Sequence, residues 1–411
     1  MLQRYFYRES IVAVPDWIWF IFIFAFGCCV GSFLNVVIYR LPRDKSLISP
    51  GSACPACGER IHFYDNIPLL SWLLLRARCR HCKAPISARY FIIELLTASV
   101  FLGLFILYFR TDLLPDMRAF PAGGWLIYLV HIILLAAFIA ASAIDLEHWV
   151  IPLSICWLVT GAGLVASTIG SYIIHPSLIH AYWLLPNSSA DTGALATGAA
   201  IGLVISLLLV VTGLIKRSYE SDGGKSKIQN LSHDSQDPNS EMDGSNNSKQ
   251  PQFNHRLESC KEIIFLLPII ICSVLALWIG RRIIPEQLQN NYNFSLQHPV
   301  IAGLLGSLWG YFVGCAIVWV VRILGTLAFG KEAMGLGDVH LMGAAGAVIG
   351  PYLVVIAFFI APFFGLAWAV SQMFFKKIRQ IPYGPFLSLA VFVVMILHDL
   401  IRHYIGFMFY R

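Results

Sequence analysis

The sequence predicts an all-α polytopic membrane protein with about 8–10 transmembrane helices and a small zinc-binding cytoplasmic insert. Of its 411 residues, 57% are hydrophobic and only 13% are charged. Many apolar runs reach about 18 residues or more, the length that crosses the hydrocarbon core of a bilayer. A water-soluble fold of this size would need far more polar surface. The lipid bilayer is therefore an expected partner, and no basic stripe with interleaved aromatic residues indicates nucleic acid.

The first predicted span, 17–39, is long enough to remain as a membrane anchor. Residues 1–39 are therefore assigned to a first transmembrane anchor region. The later single-pass spans are expected near 91–109, 124–144, 151–173, 193–215, 262–280, 299–327 and 385–407. The apolar stretch 340–375 is too long for one pass, and Gly350-Pro351 divides it into a short first leg and a full second leg. Lys and Arg concentrate in alternate loops, so the positive-inside rule places those loops in the cytoplasm and the N-terminus outside.

A polar segment, 40–90, separates the first two spans and carries four of the ten cysteines. They form two pairs, Cys54 with Cys57 and Cys79 with Cys82. Each CxxC pair supplies two thiolates from one tight turn, so two pairs complete a tetrahedral metal site. Disulfides or free thiols are the alternatives, and a cytoplasmic location argues against disulfides. We expect a structural metal, Zn²⁺ first among the candidates.

A second polar segment, 216–261, follows the membrane region 91–215 and precedes the membrane region 262–411. It mixes both signs of charge with Ser, Asn, Asp, Gly and Gln and has almost no apolar residue. Such a segment cannot bury enough surface to offset its ordering entropy, so it is predicted to be disordered and cytoplasmic.

Two aspartates stand at the edges of predicted spans, where an ionisable side chain is expensive unless it faces a protein interior or a wet cavity. Asp145 closes one apolar run, and Asp338 lies in the GxGD tetrapeptide just before another. Both are expected at the cytoplasmic face. Two carboxylates that meet in a low-dielectric cleft can share one proton and activate water. The simpler alternatives are an interfacial residue for Asp145 and a helix N-cap for Asp338.

With these residues in view, the chain resembles the type IV prepilin peptidase family over most of its length. The resemblance rests on several ordered matches: GSFLNVVIYRLP (31–42), CPAC (54–57), YDNIPLLSWLLLRARCRHC (64–82), ISARY with ELLTA (86–98), AIDLEHWVIP (143–152), GKEAMGLGDVHLM (330–342) and IPYGPFLSLA (381–390). GxGD alone also occurs in presenilin-type and signal-peptide-peptidase-type proteases. Those proteases lack the paired CxxC insert.

The resemblance implies an aspartic endopeptidase of the bacterial inner membrane in which Asp145 and Asp338 are catalytic. Its substrates would be type IV prepilins or type II secretion pseudopilins, whose basic leader stays in the cytoplasm. Many members also methylate the new amino terminus with S-adenosylmethionine, and segment 40–90 is the natural place for that activity. No residue is identified for binding this donor.

The chain departs from the family pattern at several positions. Ala77 stands where glycine is usual, so a positive-φ turn could be blocked and methyl transfer lost. Leu153 replaces a frequent Asp, and His340 replaces a usual Lys, which should make activity more pH-dependent. The aspartates are 193 residues apart, because spans 193–215 and 262–280 add to the usual spacing. A catalytically inactive assembly factor and an ion-coupled transporter remain as alternatives; a transporter would place its carboxylates near span centres.

Overall fold

A computed structural model describes residues 15–111, 123–174, 185–215, 255–285, 291–374 and 382–409. Residues 216–254 of the predicted disordered segment, 216–261, lie outside the described residues. The prediction is wrong for 255–261, which form the first turns of the helix His255–Ile283. Within the described ranges, nine helices are long and apolar enough to cross a membrane. The same ranges contain two isolated β-bridges and no strand. The predicted all-α polytopic class is therefore confirmed.

The helices match the predicted spans one for one, and their ends differ by a few residues. The membrane-length helices are α1 (Asp16–Arg40), α3 (Ala88–Phe109), α4 (Gly124–His148), α5 (Leu153–Ile173), α6 (Ala190–Val211), α7 (His255–Ile283), α9 (Pro299–Phe329), α10 (Leu336–Phe374) and α11 (Gly384–Phe409). Two short helices, α2 (Leu70–Leu74) and α8 (Asn291–Gln297), lie between spans.

Local signals explain where several helices begin and end. The Ser87 hydroxyl caps α3 by accepting a hydrogen bond from the Arg89 amide. Ser189 and Thr192 form a capping box at the start of α6, so two free amides of the first turn gain partners. Helix α9 begins with a proline and ends at Gly330, whose φ of 66° is the usual left-handed helix stop.

Helices α9 and α10 approach so closely that their backbones touch. A Cβ built on Gly310 would lie 2.0 Å from the carbonyl oxygen of Gly346, and one on Gly314 would lie 2.2 Å from that of Met342. Any larger residue at these positions would push the helices apart. Because hydrophobic attraction between helices is absent in lipid, close van der Waals contact is what holds such pairs together.

Helix α10 reverses direction at Gly350, whose φ of 83° and ψ of 171° interrupt it. Past that point, a Cβ built on Gly365 would lie 3.7 Å from Phe386, near the start of α11. A straight helix would instead carry Gly365 about 40 Å away from Asp338. The two legs predicted on either side of Gly350-Pro351 are therefore confirmed, and the starts of α10 and α11 share one end of the bundle.

Helices α6 and α7 correspond to the two predicted spans that lengthen the spacing between the aspartates, and they form a close pair. A Cβ on Gly198 would lie 2.3 Å from the carbonyl oxygen of Cys272, and an ion pair of 2.8 Å joins Asp191 to Arg281. This α6–α7 pair attaches to the rest of the bundle through α9.

Candidate active site and metal centre

Asp145 lies in the last turn of α4 and is 5% exposed. Its Oδ2 accepts a hydrogen bond of 3.1 Å from the amide of Gly384, the first residue of α11. The helix stops four residues later at Trp149, which adopts φ 58° and donates its amide to the Asp145 carbonyl. The carboxylate is thus fixed by a helix that is distant in the sequence.

Asp338 lies in the first turn of α10 and is 8% exposed. Its Oδ2 accepts a hydrogen bond of 3.3 Å from the amide of Gly335, so the N-cap-like contact expected of a helix start is present. Its Oδ1 is buried and has no hydrogen-bond partner among the residues that the structure describes. A buried carboxylate oxygen without a partner is costly, and it stands ready to accept from water or a ligand.

Ile151 shows that the two aspartates share one site. A Cβ on Gly384 would lie 2.5 Å from Asp145 Oδ2 and 3.2 Å from Ile151, while a Cβ on Gly337 would lie 2.8 Å from the same isoleucine. The charges of the two carboxylates also interact. The structure therefore brings Asp145 and Asp338 together at the ends of their helices, away from span centres.

Tyr383 borders the same site immediately before α11. Burial, and then the charge of Asp338, raise the pKa of this phenol to about 12. It stays protonated at neutral pH. A neutral hydroxyl at this place can donate a hydrogen bond to a bound molecule without adding charge.

His340, which replaces the lysine usual in the family, points toward α9 and α5. Its Nδ1 lies 3.1 Å from the Tyr311 hydroxyl, and its ring centroid lies 5.7 Å from that of Trp157. Leu153, the other departure in the membrane region, is 44% exposed at the start of α5. The pH-dependence expected from His340 stays a prediction.

The four cysteines of segment 40–90 converge, as the two CxxC pairs predict. The sulfur atoms of Cys54, Cys57, Cys79 and Cys82 all lie within 4.8 Å of one another. The Cys54 and Cys82 sulfurs are 3.8 Å apart. A tetrahedral ion with metal–sulfur bonds of about 2.3 Å requires sulfurs about 3.8 Å apart. The cluster could therefore hold a metal ion with little rearrangement.

Both CxxC turns are built alike. The amide of Cys54 donates to Glu59 and that of Cys79 donates to Ala84, each at 2.9 Å. Gly58 and Lys83, each four residues after the first cysteine of its turn, have φ of 72° and 59°. Backbone amides of Cys57 and Ala56 lower the pKa of the Cys54 thiol to about 6. That shift favours the thiolate, which is the form that binds metals.

Segment 40–90 joins the membrane bundle through a buried glutamate. The amide of Leu69 donates to Glu94 of α3 at 2.8 Å. Ala77 has a φ of 57°, so the positive-φ turn expected at this position is present and accommodates alanine. Its amide donates to the Trp72 carbonyl at 2.8 Å.

Two contacts near the aspartates are not predictable from the patterns in the sequence. One is the Gly384 amide, which lies in the quoted motif IPYGPFLSLA without an assigned role. The other is Arg322, a 1% exposed residue inside a predicted span. The sequence does offer one indication for Arg322. It is a charged residue inside an apolar run, and ionisable residues in membrane spans are functional candidates by default.

Two family models match the chain. The bacterial peptidase A24 N-terminal domain matches residues 25–108, which include the four cysteines. The type IV leader peptidase family matches residues 265–370, which include Asp338 and most of α7. Asp145 lies between the two matched segments. No solved structure matches the chain.

Curated relatives carry names of one kind. A prepilin leader peptidase/N-methyltransferase of Myxococcus xanthus is 48% identical over 135 residues, 33% of this chain and 36% of that protein. A type 4 prepilin-like proteins leader peptide-processing enzyme of Escherichia coli is 42% identical over 159 residues, 34% of this chain and 54% of that protein. A prepilin leader peptidase/N-methyltransferase of Dichelobacter nodosus is 34% identical over 201 residues, 40% of this chain and 65% of that protein. The chain thus spans less than two thirds of the length of these relatives.

Proposed function

We propose that the chain is an aspartic endopeptidase of the bacterial inner membrane, because the models of the bacterial peptidase A24 N-terminal domain and of the type IV leader peptidase family each match one of its segments. Its substrates are type IV prepilins or type II secretion pseudopilins, whose leader it removes at the cytoplasmic face. The observation that carries this proposal is the meeting of Asp145 and Asp338 in one buried site.

The geometry supports a shared-proton mechanism. Two neighbouring buried carboxylates do not both ionise, so one keeps a proton. The ionised member removes a proton from water as it attacks the scissile carbonyl, and the protonated member donates to the carbonyl oxygen. The Gly384 and Gly335 amides hold one oxygen of each carboxylate in place. Their other oxygens stay available for water and substrate.

We assign the cysteine cluster to one structural Zn²⁺. Four sulfur ligands leave no open coordination position, so such an ion stabilises the fold of segment 40–90 and takes no part in cleavage. The exposed surface of this segment supports that role, because few side chains there are buried.

We further propose that the protein methylates the freed amino terminus. S-adenosylmethionine would supply an electrophilic methyl group, and we assign no residue to its binding. The names of the relatives support the activity. Ala77 also supports it, because the turn that normally uses glycine forms here with alanine.

The test is to incubate the purified protein with candidate prepilins and S-adenosylmethionine and to read product masses. Cleavage alone leaves the mature chain, and cleavage with methylation adds one methyl group to it. An intact prepilin after prolonged incubation with folded protein, across pilin and pseudopilin substrates, contradicts the peptidase. A cleaved and unmethylated product contradicts the second activity alone.

A further inference from the structure

Arg322 is a buried cation in α9 whose partners connect three parts of the bundle. Its Nε and Nη2 donate to Glu262 of α7, with the Nη2–Oε1 distance at 3.0 Å. Its Nη1 donates to Glu332 at 2.6 Å and also to the carbonyl oxygen of Met334. The last two partners lie in the segment that joins α9 to α10.

One peptide unit connects this arginine to Asp338. The Met334 carbonyl, which accepts from Arg322, and the Gly335 amide, which donates to Asp338 Oδ2, belong to the same peptide bond. Hydrogen bonds in such a chain polarise one another, so donation to the carbonyl strengthens the amide as a donor. The arginine also fixes the plane of the peptide and therefore the direction of its N–H.

Glu262 holds the arginine in that orientation. It is 4% exposed, and its Oε2 also accepts from the Trp319 indole at 3.0 Å. A paired carboxylate and guanidinium fit as two planar forks, which a lysine cannot reproduce. Glu332 is 43% exposed in its side chain, so it contributes less to this fixation.

We infer that Arg322 is a positioning residue for Asp338, acting through the Met334–Gly335 peptide, and that Glu262 of the α6–α7 pair holds it in place. The inference rests on the proposed peptidase function, since it assigns Asp338 a reaction to serve. It gives the α6–α7 pair a part in cleavage, although neither of these helices carries an aspartate of the dyad.

The first test measures cleavage by Arg322→Gln, Arg322→Lys and Glu262→Gln, each quantified per folded molecule. We expect kcat to fall about 10- to 100-fold in Arg322→Gln, because small misplacements of catalytic groups have effects of this size. KM for the prepilin should stay within about threefold, since no substrate contact is removed. Arg322→Lys keeps the charge but loses the planar guanidinium, so its kcat should lie between those of the wild type and of Arg322→Gln.

The second readout is the pH profile of kcat. Asp338 is faced by Asp145 of α4, Cys156 of α5, Arg322 of α9 and Tyr383. The cation and the amide that it aligns both act on this carboxylate. The limb of the kcat–pH profile that depends on Asp338 should therefore shift in Arg322→Gln. A general loss of packing would lower kcat at every pH and leave the limbs of the pH profile at the same pH values.

Arg281→Gln is the matched control, because it breaks an ion pair within the α6–α7 pair that does not reach Asp338. It should keep the wild-type kcat and profile. Wild-type kcat and pH limbs in whichever Arg322 or Glu262 variants fold would overturn the inference. So would a loss explained entirely by a smaller folded fraction. Failure of the wild-type protein to cleave any prepilin would instead overturn the proposed function.

Discussion

The aspartate site and the cysteine segment are held together by different means. The aspartates are buried where α4, α10 and α11 meet, and the surrounding helices touch at backbone distance. In the range 44–87, by contrast, Cys54 is the only buried residue. Helix packing fixes the first region, whereas the second has almost no apolar core, so the proposed metal would contribute most of its order. Changes in the first should therefore affect the reaction, and changes in the second should affect local structure.

Replacing either aspartate should have the largest effect. Asp145→Asn and Asp338→Asn should each lower the cleavage rate by roughly 10³-fold or more, because the members of a catalytic unit act together. Folding should be unaffected, since asparagine has the same shape. Mass spectrometry of a prepilin reaction measures the loss. Asp191→Asn, in α6, is the control and should cleave normally. Near wild-type cleavage by either dyad variant would rule out the assignment.

Removing a metal ligand should show most clearly that the two regions are stabilised independently. Cys57→Ser should reduce metal content from about one ion per chain to nearly none, because three thiolates bind far more weakly than a closed four-sulfur site. Limited proteolysis should then cut within 44–87 while the membrane helices stay intact. Elemental analysis and fragment mapping measure both effects. Cys260→Ser, an exposed cysteine outside the cluster, should retain the metal. Retention of a full ion by Cys57→Ser would contradict the site.

Crowding the aspartate site should have an intermediate effect. Gly384→Ala would place a methyl group 2.5 Å from Asp145 Oδ2, so the carboxylate or α11 must move. We expect cleavage to fall about 10- to 100-fold while the protein remains folded. Gly365→Ala is the matched control, because within the described residues its added carbon meets Phe386 alone, at 3.7 Å. Equal activity of the two variants would mean that the contact with α11 does not position Asp145.

The smallest effect is expected at Ala77. An alanine at φ 57° is strained relative to glycine by roughly 1 kcal/mol. Replacing it by glycine relieves this strain, but the greater conformational entropy of glycine in the unfolded chain offsets part of the gain in stability. Ala77→Gly should therefore slow loss of metal to a chelator by about two- to fivefold, without changing cleavage. Ala84→Gly, at an ordinary φ in the second CxxC turn, should not slow it. Faster metal loss from Ala77→Gly would show that this turn is unstrained.

Spans, the dyad candidates and the four cysteines were predictable because each leaves a local pattern in the sequence. Hydropathy located every membrane-length helix, and CxxC spacing located the sulfur cluster. The contacts between Gly384 and Asp145 and between Arg322 and Glu262 were not predictable. They join residues that are 239 and 60 positions apart, and only helix packing decides that they meet. The glycine that is usual in the family at position 77 indicated a positive-φ turn, but it did not show that alanine would be accepted there.

The reversal of α10 at Gly350 has a consequence for sidedness. The first leg of α10 begins on the face that carries Asp338, and its second leg returns from Gly350 to that face, so this helix adds no net crossing. Among the described helices, the other eight are each long and apolar enough to cross once, and eight is an even number. We therefore predict that the start of α1 and the end of α11 lie on the same side of the membrane, opposite both aspartates. A reporter enzyme that works only outside the cytoplasm should therefore be active when it is fused after α11.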